Sequence, residues 1–163
     1  MRKVVLSVFV DNTSGVLNRV AGLFSRRSYN IDSLTVSETE NPLYSRMTIV
    51  VHGDEDTLEQ IKKQMLKLED VKEIKELKSG DSVCRELVLV KVKVTAQERP
   101  QITAIADSFR AKIVDVAKQS MMLELTGNET KLDAFIELLD GFEILELVRT
   151  GLTGLTRGAA DDK

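Results

Sequence analysis

The chain has 163 residues, with 23 Lys and Arg against 26 Asp and Glu and a net charge of −3. That length allows one ordinary domain or two small ones, and interspersed signs leave no global field to draw a phosphate backbone, so no nucleic-acid partner is expected. Aromatics at 4% offer few stacking platforms, and a single His and a single Cys exclude an internal disulfide framework and make a Cys/His zinc site nearly impossible.

No apolar run approaches the ~20 residues needed to span a bilayer. Strand-like sequence begins at Lys3, leaving no room for a leader, so a cytoplasmic protein without a membrane partner is expected. VVLSVFV (Val4–Val10) is rich in β-branched residues and predicts a strand. After a turn at Asp11–Ser14, Val16, Val20, Leu23 and Phe24 recur at the spacing of one helix face. Ile31–Val36 and Arg46–Val51 predict two strands, separated by the turn Glu40–Pro42. Gly53-Asp54 opens a helix striped by Leu58, Ile61, Met65 and Leu68, and Val71–Leu77 closes the unit. The polar stretch Lys78–Ser82 (KSGDS) carries a Gly-Asp turn pair and separates the halves. Beyond it Val88, Val90, Val92 and Val94 alternate with Leu89, Lys91 and Lys93, so one face of that strand is buried. Ile102, Ile105, Ala106 and Phe109 stripe a helix, and Ile113–Val116 and Met121–Thr126 are strands. Leu132, Phe135, Ile136 and Leu139 stripe the next helix, and Ile144–Val148 is the last strand.

Strand, helix, strand, strand, helix, strand thus occurs twice, which is the ferredoxin-like pattern. The predicted fold is α+β: two tandem βαββαβ domains, at 1–78 and 83–158, each an antiparallel sheet with both helices on one face. Residues 159–163 read as a disordered tail. In the first strand Val5 and Phe9 oppose Val4, Leu6, Val8 and Val10, so both faces are apolar. A half-solvated strand would alternate with polar residues. Cover by the second domain or another chain is therefore expected, and with it a dimer through the first domain, since small domains bury little surface alone.

Nothing in the sequence signals catalysis. His52, at the end of a predicted strand, reads as a structural or surface residue, and Cys84 as a linker residue. Neither Gly-rich phosphate-binding motif occurs. Glu38, Glu40, Asp54, Glu55 and Asp56 fall at turns and helix starts, where caps and dipole partners belong. The informative stretch is DNTSGVLNRVAGLF, Asp11–Phe24. There Thr13 or Ser14 suits a helix cap and Gly15 a tight entry. The first helical N–H groups lack partners and favour an anion, Gly15 admits a ligand carboxylate or a second chain, and Asn12 offers a donor and an acceptor. Asn30 precedes Ile31 in SRRSYNIDSLTV and reads as a turn residue. Arg26-Arg27 suit the negative end of the helix dipole.

These residues, with SRMTIVV at Ser45–Val51, closely resemble the acetolactate (acetohydroxyacid) synthase small-subunit family, whose pattern runs N-x-S-G-x-L-x-R-V-x-G-L-F, R-x-Y-N-I-x-S-L-T-V and S-R-M-T-I. FRAKIVDV, KLDAFIELL and the closing RTGLTGLTRG extend the resemblance into the second half. It implies an ACT domain, in which two copies pair side by side and valine binds between them. Asn12, Ser14, Gly15, Val16 and Leu17 would hold the ligand from one chain, and Asn30 and Ile31 from the other. It also implies a non-catalytic regulatory subunit that binds no cofactor or metal itself. Its partner is the catalytic large subunit with thiamine diphosphate, FAD and Mg, and its roles are activation and feedback inhibition in branched-chain amino acid synthesis. Ser28 stands where family members often carry Gly, a mild strain if φ is positive there. Alternatives are an ACT-type regulator of another enzyme, a small enzyme on the same scaffold, and an RNA binder.

Overall fold

The computed structural model describes residues 1–158; the tail whose disorder was expected lies outside the described residues. The chain divides into two compact units, Met1–Cys84 with the segment from Leu152, and Arg85–Gly151.

In the first unit, β1 (Arg2–Asp11), β2 (Ile31–Glu38), β3 (Tyr44–Gly53) and β4 (Val71–Glu76) form a sheet in the order β2-β3-β1-β4, with every neighbouring pair antiparallel. The period-2 residues Val4, Leu6, Val8 and Val10 are buried against α1 (Val16–Arg26) and α2 (Glu55–Leu66). The buried set of α1 is the predicted stripe, Val16, Val20, Leu23 and Phe24. Leu58, Ile61 and Met65 fill the same role on α2, while Leu68 lies past its end, half-buried against the core. Asp54 caps α2 by accepting the Thr57 N–H at 2.7 Å.

The carboxylates of this unit predict its response to acid. The Asp54 carboxyl is held below its ordinary range by the Thr57 N–H, Asp70 by the Arg19 guanidinium and Glu55 by Arg2. Burial opposes the same shift at Glu76, but Arg2 and Lys62 still leave it lowered. A carboxyl depressed in the folded state contributes stability above its unfolded pKa and loses it as pH falls through the folded value. Melting curves at pH 7 and at successive steps below about pH 5 should therefore show a falling Tm, less steeply in high salt.

The apolar far face of this sheet is covered from within the chain. Ser7, Thr48 and Val50, on the side away from the helices, are buried, and Val5 and Phe9 are half-buried. Strand β9 (Thr153–Thr156), which the sequence reading does not contain, lies against β3 and pairs with β5 (Ser82–Lys93), and Thr35 Oγ1 donates to Leu152 O at 3.4 Å. The two apolar faces of β1 thus do not by themselves require a second chain.

The second unit repeats the topology. Strands β5, β6 (Lys112–Val116), β7 (Ser120–Gly127) and β8 (Glu143–Arg149) order as β6-β7-β5-β8, the same permutation. Val88, Val90, Val92 and Val94 pack on α3 (Arg99–Phe109) and α4 (Glu129–Leu138) through Ile102, Ala106, Leu132 and Phe135, with Ile105, Phe109 and Ile136 partly buried around them. Each unit leaves its first helix through a left-handed residue other than glycine, Ser28 at φ 58° and Arg110 at φ 59°. The positive φ considered for Ser28 is present; in that region a side chain costs about 1 kcal/mol.

Candidate functional site

The turn between β1 and α1 is built to leave a helix start open. Gly15 holds φ +87°, a conformation that side chains resist, and it is the N-cap of α1. No side chain caps the helix there, so neither Thr13 nor Ser14 plays the expected part. A cap oxygen would have taken an amide of the first turn; without one, and with only the Val16 N–H turned back onto Thr13 O at 3.4 Å, the amides that follow it and the positive dipole end face outward. Above Gly15 lies the Arg19 guanidinium, 2.9 Å from where a Cβ would stand. Arg19 Nε donates to Asp70 Oδ2 at 2.6 Å, and its Nη2 reaches Ser14 O at 3.5 Å. Asp70 raises the guanidinium pKa above its ordinary value. The turn is anchored further where the Asp11 N–H donates to Asp70 O and the Asn12 N–H to Leu43 O.

A cleft of about 290 Å³ opens beside this turn. Asn12, Val16 and Leu17 line it with Val36, Glu38 and Met47. Val16 is buried, whereas Leu17 and Val36 are each more than two-fifths exposed, so the cleft has an open apolar rim. The Asn12 amide Nδ2 donates to Pro42 O at 2.9 Å and to Glu38 Oε2 at 3.4 Å. Glu38 and Val36 escape sequence reasoning because β2 meets the turn only through the fold; Val36 ends a predicted strand and Glu38 falls in the turn expected after it, and neither place points to the cleft.

Asn30 and Ile31 lie at the other end of α1, whose 11 residues span roughly 16 Å. Within one chain the structure does not bring them to the cleft. Ile31 is half-buried against the core. Asn30 Nδ2 donates to Asp32 Oδ1 at 3.2 Å, and Asp32 Oδ2 lies 2.7 Å from His52 Nδ1. Among the described residues no group of three or more His, Cys, Asp or Glu side chains is placed to hold a metal ion. None of their helices is long and apolar enough to cross a membrane.

A ferredoxin-like unit whose first helix starts open beside a half-apolar cleft has the architecture of an ACT-type domain. The family model for the ACT domain of acetohydroxyacid synthase small subunits matches residues 6–73, and that for the acetolactate synthase small subunit matches residues 85–158. The chain is 47% identical to the probable acetolactate synthase small subunit of Methanothermobacter thermautotrophicus, over 95% of this chain and 93% of that one. It is 46% identical to the acetolactate synthase isozyme 3 small subunit of Escherichia coli, over 94% and 95% of the two chains. The crystal structure of the acetolactate synthase small subunit from Thermotoga maritima superposes with a TM-score of 0.89 at 38% identity, covering 98% of this chain and all of that one. The chain belongs to the family of acetolactate synthase small subunits. That family and its ACT-type domain mark a regulatory subunit, and a small subunit implies a catalytic large subunit as partner.

Proposed function

We propose that this chain senses valine between two paired first units and conveys its level to the catalytic large subunit, activating that subunit and making it subject to feedback inhibition. The observation that carries this reading is the uncapped start of α1 at Gly15, opening on an apolar-rimmed cleft. The amides of the first turn suit a carboxylate, and the rim of Val16, Leu17 and Val36 suits a branched aliphatic side chain.

The second half of the site comes from a second copy. Strand β2 is an edge of its sheet. Antiparallel pairing of two β2 edges about a two-fold axis sets the Ile31 end of one against the Glu38 end of the other. Glu38 is the residue that reaches Asn12, so this pairing carries Asn30 and Ile31 toward the partner's Asn12. A ligand seated there holds one arrangement of the pair over others, which is the requirement for a regulatory signal. Couplings of this kind run at about 1–3 kcal/mol. Thiamine diphosphate, FAD and Mg belong in this scheme to the large subunit, and the place of action is the cytoplasm.

Valine at a hundred times its Kd should stabilise the protein by about 2.7 kcal/mol, read as a rise in Tm. Asn12→Ala and Asn30→Ala should each weaken binding by about 1–3 kcal/mol, because a buried polar group of the ligand loses its partner. Calorimetry that detects no valine binding to the folded wild-type chain would count against sensing. Reconstitution with the large subunit, with and without valine, tests the activation and feedback steps separately.

A further inference from the structure

Behind each asparagine of the candidate site stands an acceptor that dictates which way its amide points. Asn30 turns its Nδ2 to Asp32 Oδ1 at 3.2 Å, and His52 Nδ1 holds the other Asp32 oxygen at 2.7 Å. A carboxylate only accepts, so Asn30 must offer it the NH2 group, and its own oxygen turns away. Asn12 is oriented alike: Pro42 O and Glu38 Oε2 take its Nδ2 at 2.9 and 3.4 Å, leaving its oxygen as the free group.

We propose that Asp32, clamped by His52, is a positioning residue that holds Asn30 with its oxygen outward, and that the site thereby demands an α-ammonium group on its ligand. This rests on the sensing reading above and names which part of the ligand the asparagines read. Two amide oxygens, one from each copy and each backed by a carboxylate, form an acceptor pair that only a donor satisfies. A 2-oxo acid with the same branched side chain presents an acceptor at that carbon. It leaves both oxygens unpaired and brings a carbonyl against them. The open start of α1 takes the carboxylate that amino acid and 2-oxo acid share, so it does not discriminate between them. The sensor would respond to the amino acid and ignore the 2-oxo acid of the same skeleton.

Calorimetric titration of the full chain with valine and with 3-methyl-2-oxobutanoate tests this. Wild type should prefer valine by at least about a hundredfold, as sites built around a ligand's donor do. Asp32→Asn keeps the shape but can donate as well as accept, which frees the Asn30 amide to flip. Its preference should fall about tenfold or more, through weaker valine binding and unchanged or tighter 2-oxo acid binding, while the unliganded Tm stays in place. Should that variant melt early, His52→Ala, which releases the carboxylate without removing it, carries the same readout. Equal wild-type affinity for the two ligands, or an unaltered ratio in a folded variant that binds valine, overturns the assignment of Asp32. Failure of wild type to bind valine at all overturns the sensing reading itself, and this one with it.

Discussion

Replacing Arg149 with Met should destabilise the second unit by about 3–5 kcal/mol, the cost of stranding a buried charge. Glu86, at the β5 end of this unit, is only 6% exposed. Its two oxygens are taken by Arg149 Nε and Nη2 at 2.8 and 2.9 Å, a bidentate fork, and Arg149 Nη1 also reaches Asp133 Oδ1 at 3.0 Å. Glu86 first and Asp133 after it hold the guanidinium pKa above its already high ordinary value. The arginine therefore stays charged at any working pH. Without it, Glu86 keeps its place under the protein surface, deprived of its cation. Total stabilities run at about 5–15 kcal/mol, so the loss is a large share. Denaturant unfolding should show the midpoint falling steeply. The double variant Arg149→Met with Glu86→Leu should recover most of it, because removing a buried pair together is often neutral. A single variant as stable as wild type would mean that water reaches Glu86 in the folded state.

Gly154→Val should release the C-terminal strand from the first unit. A Cβ at Gly154 would stand 2.6 Å from Cys84 Sγ, 2.8 Å from Val83 O and 3.0 Å from Leu77 Cδ1. The Leu77 side chain can rotate aside, but the Val83 carbonyl belongs to the backbone and cannot. The segment must lift, which loosens the Thr35–Leu152 hydrogen bond and the contact between β9 and β3. Overpacking of this kind costs about 1–3 kcal/mol. For a unit of this size each kcal/mol lowers Tm by roughly 4–8 °C. Limited proteolysis should then find new cuts near Thr153–Thr156. Gly141→Ala is the matched control, since nothing lies within 4 Å of its would-be Cβ; its Tm should match wild type. Equal Tm and protease resistance in Gly154→Val would show that the strand accommodates the side chain where it lies.

How much of this was legible in advance follows from the range of each interaction. Val16, Val20, Leu23 and Phe24 announce a helix face through their own spacing, and they are the residues α1 buries. The strands of both units likewise fall where β-branched alternation puts them, with ends shifted by a few residues, except that β5 begins at Ser82, well before the alternation from Val88, and so takes in Cys84, which was expected in a linker. Strand β9 went unread because TGLT has no apolar alternation of its own; it is a strand only because β5 offers it an edge. The candidate site was legible in part. Gly15 and Asn12 stand out in their turn, but sequence pointed to Thr13 or Ser14 as the cap, while the structure gives that position to Gly15 at a positive φ.

The sequence by itself determined that the chain forms two βαββαβ units, which residues face each core, and, through a long and specific motif, the family it belongs to. These are properties of period 2, period 3.6 and local turn chemistry, and they need no knowledge of distant neighbours. Only the tertiary structure decided that Asn12 meets Glu38, that Asp32 is shared between Asn30 and His52, and that Arg149 neutralises Glu86 across 63 positions. Hydrogen bonds and ion pairs have no periodicity along a chain. Their partners exist only once strand order and register have placed them side by side.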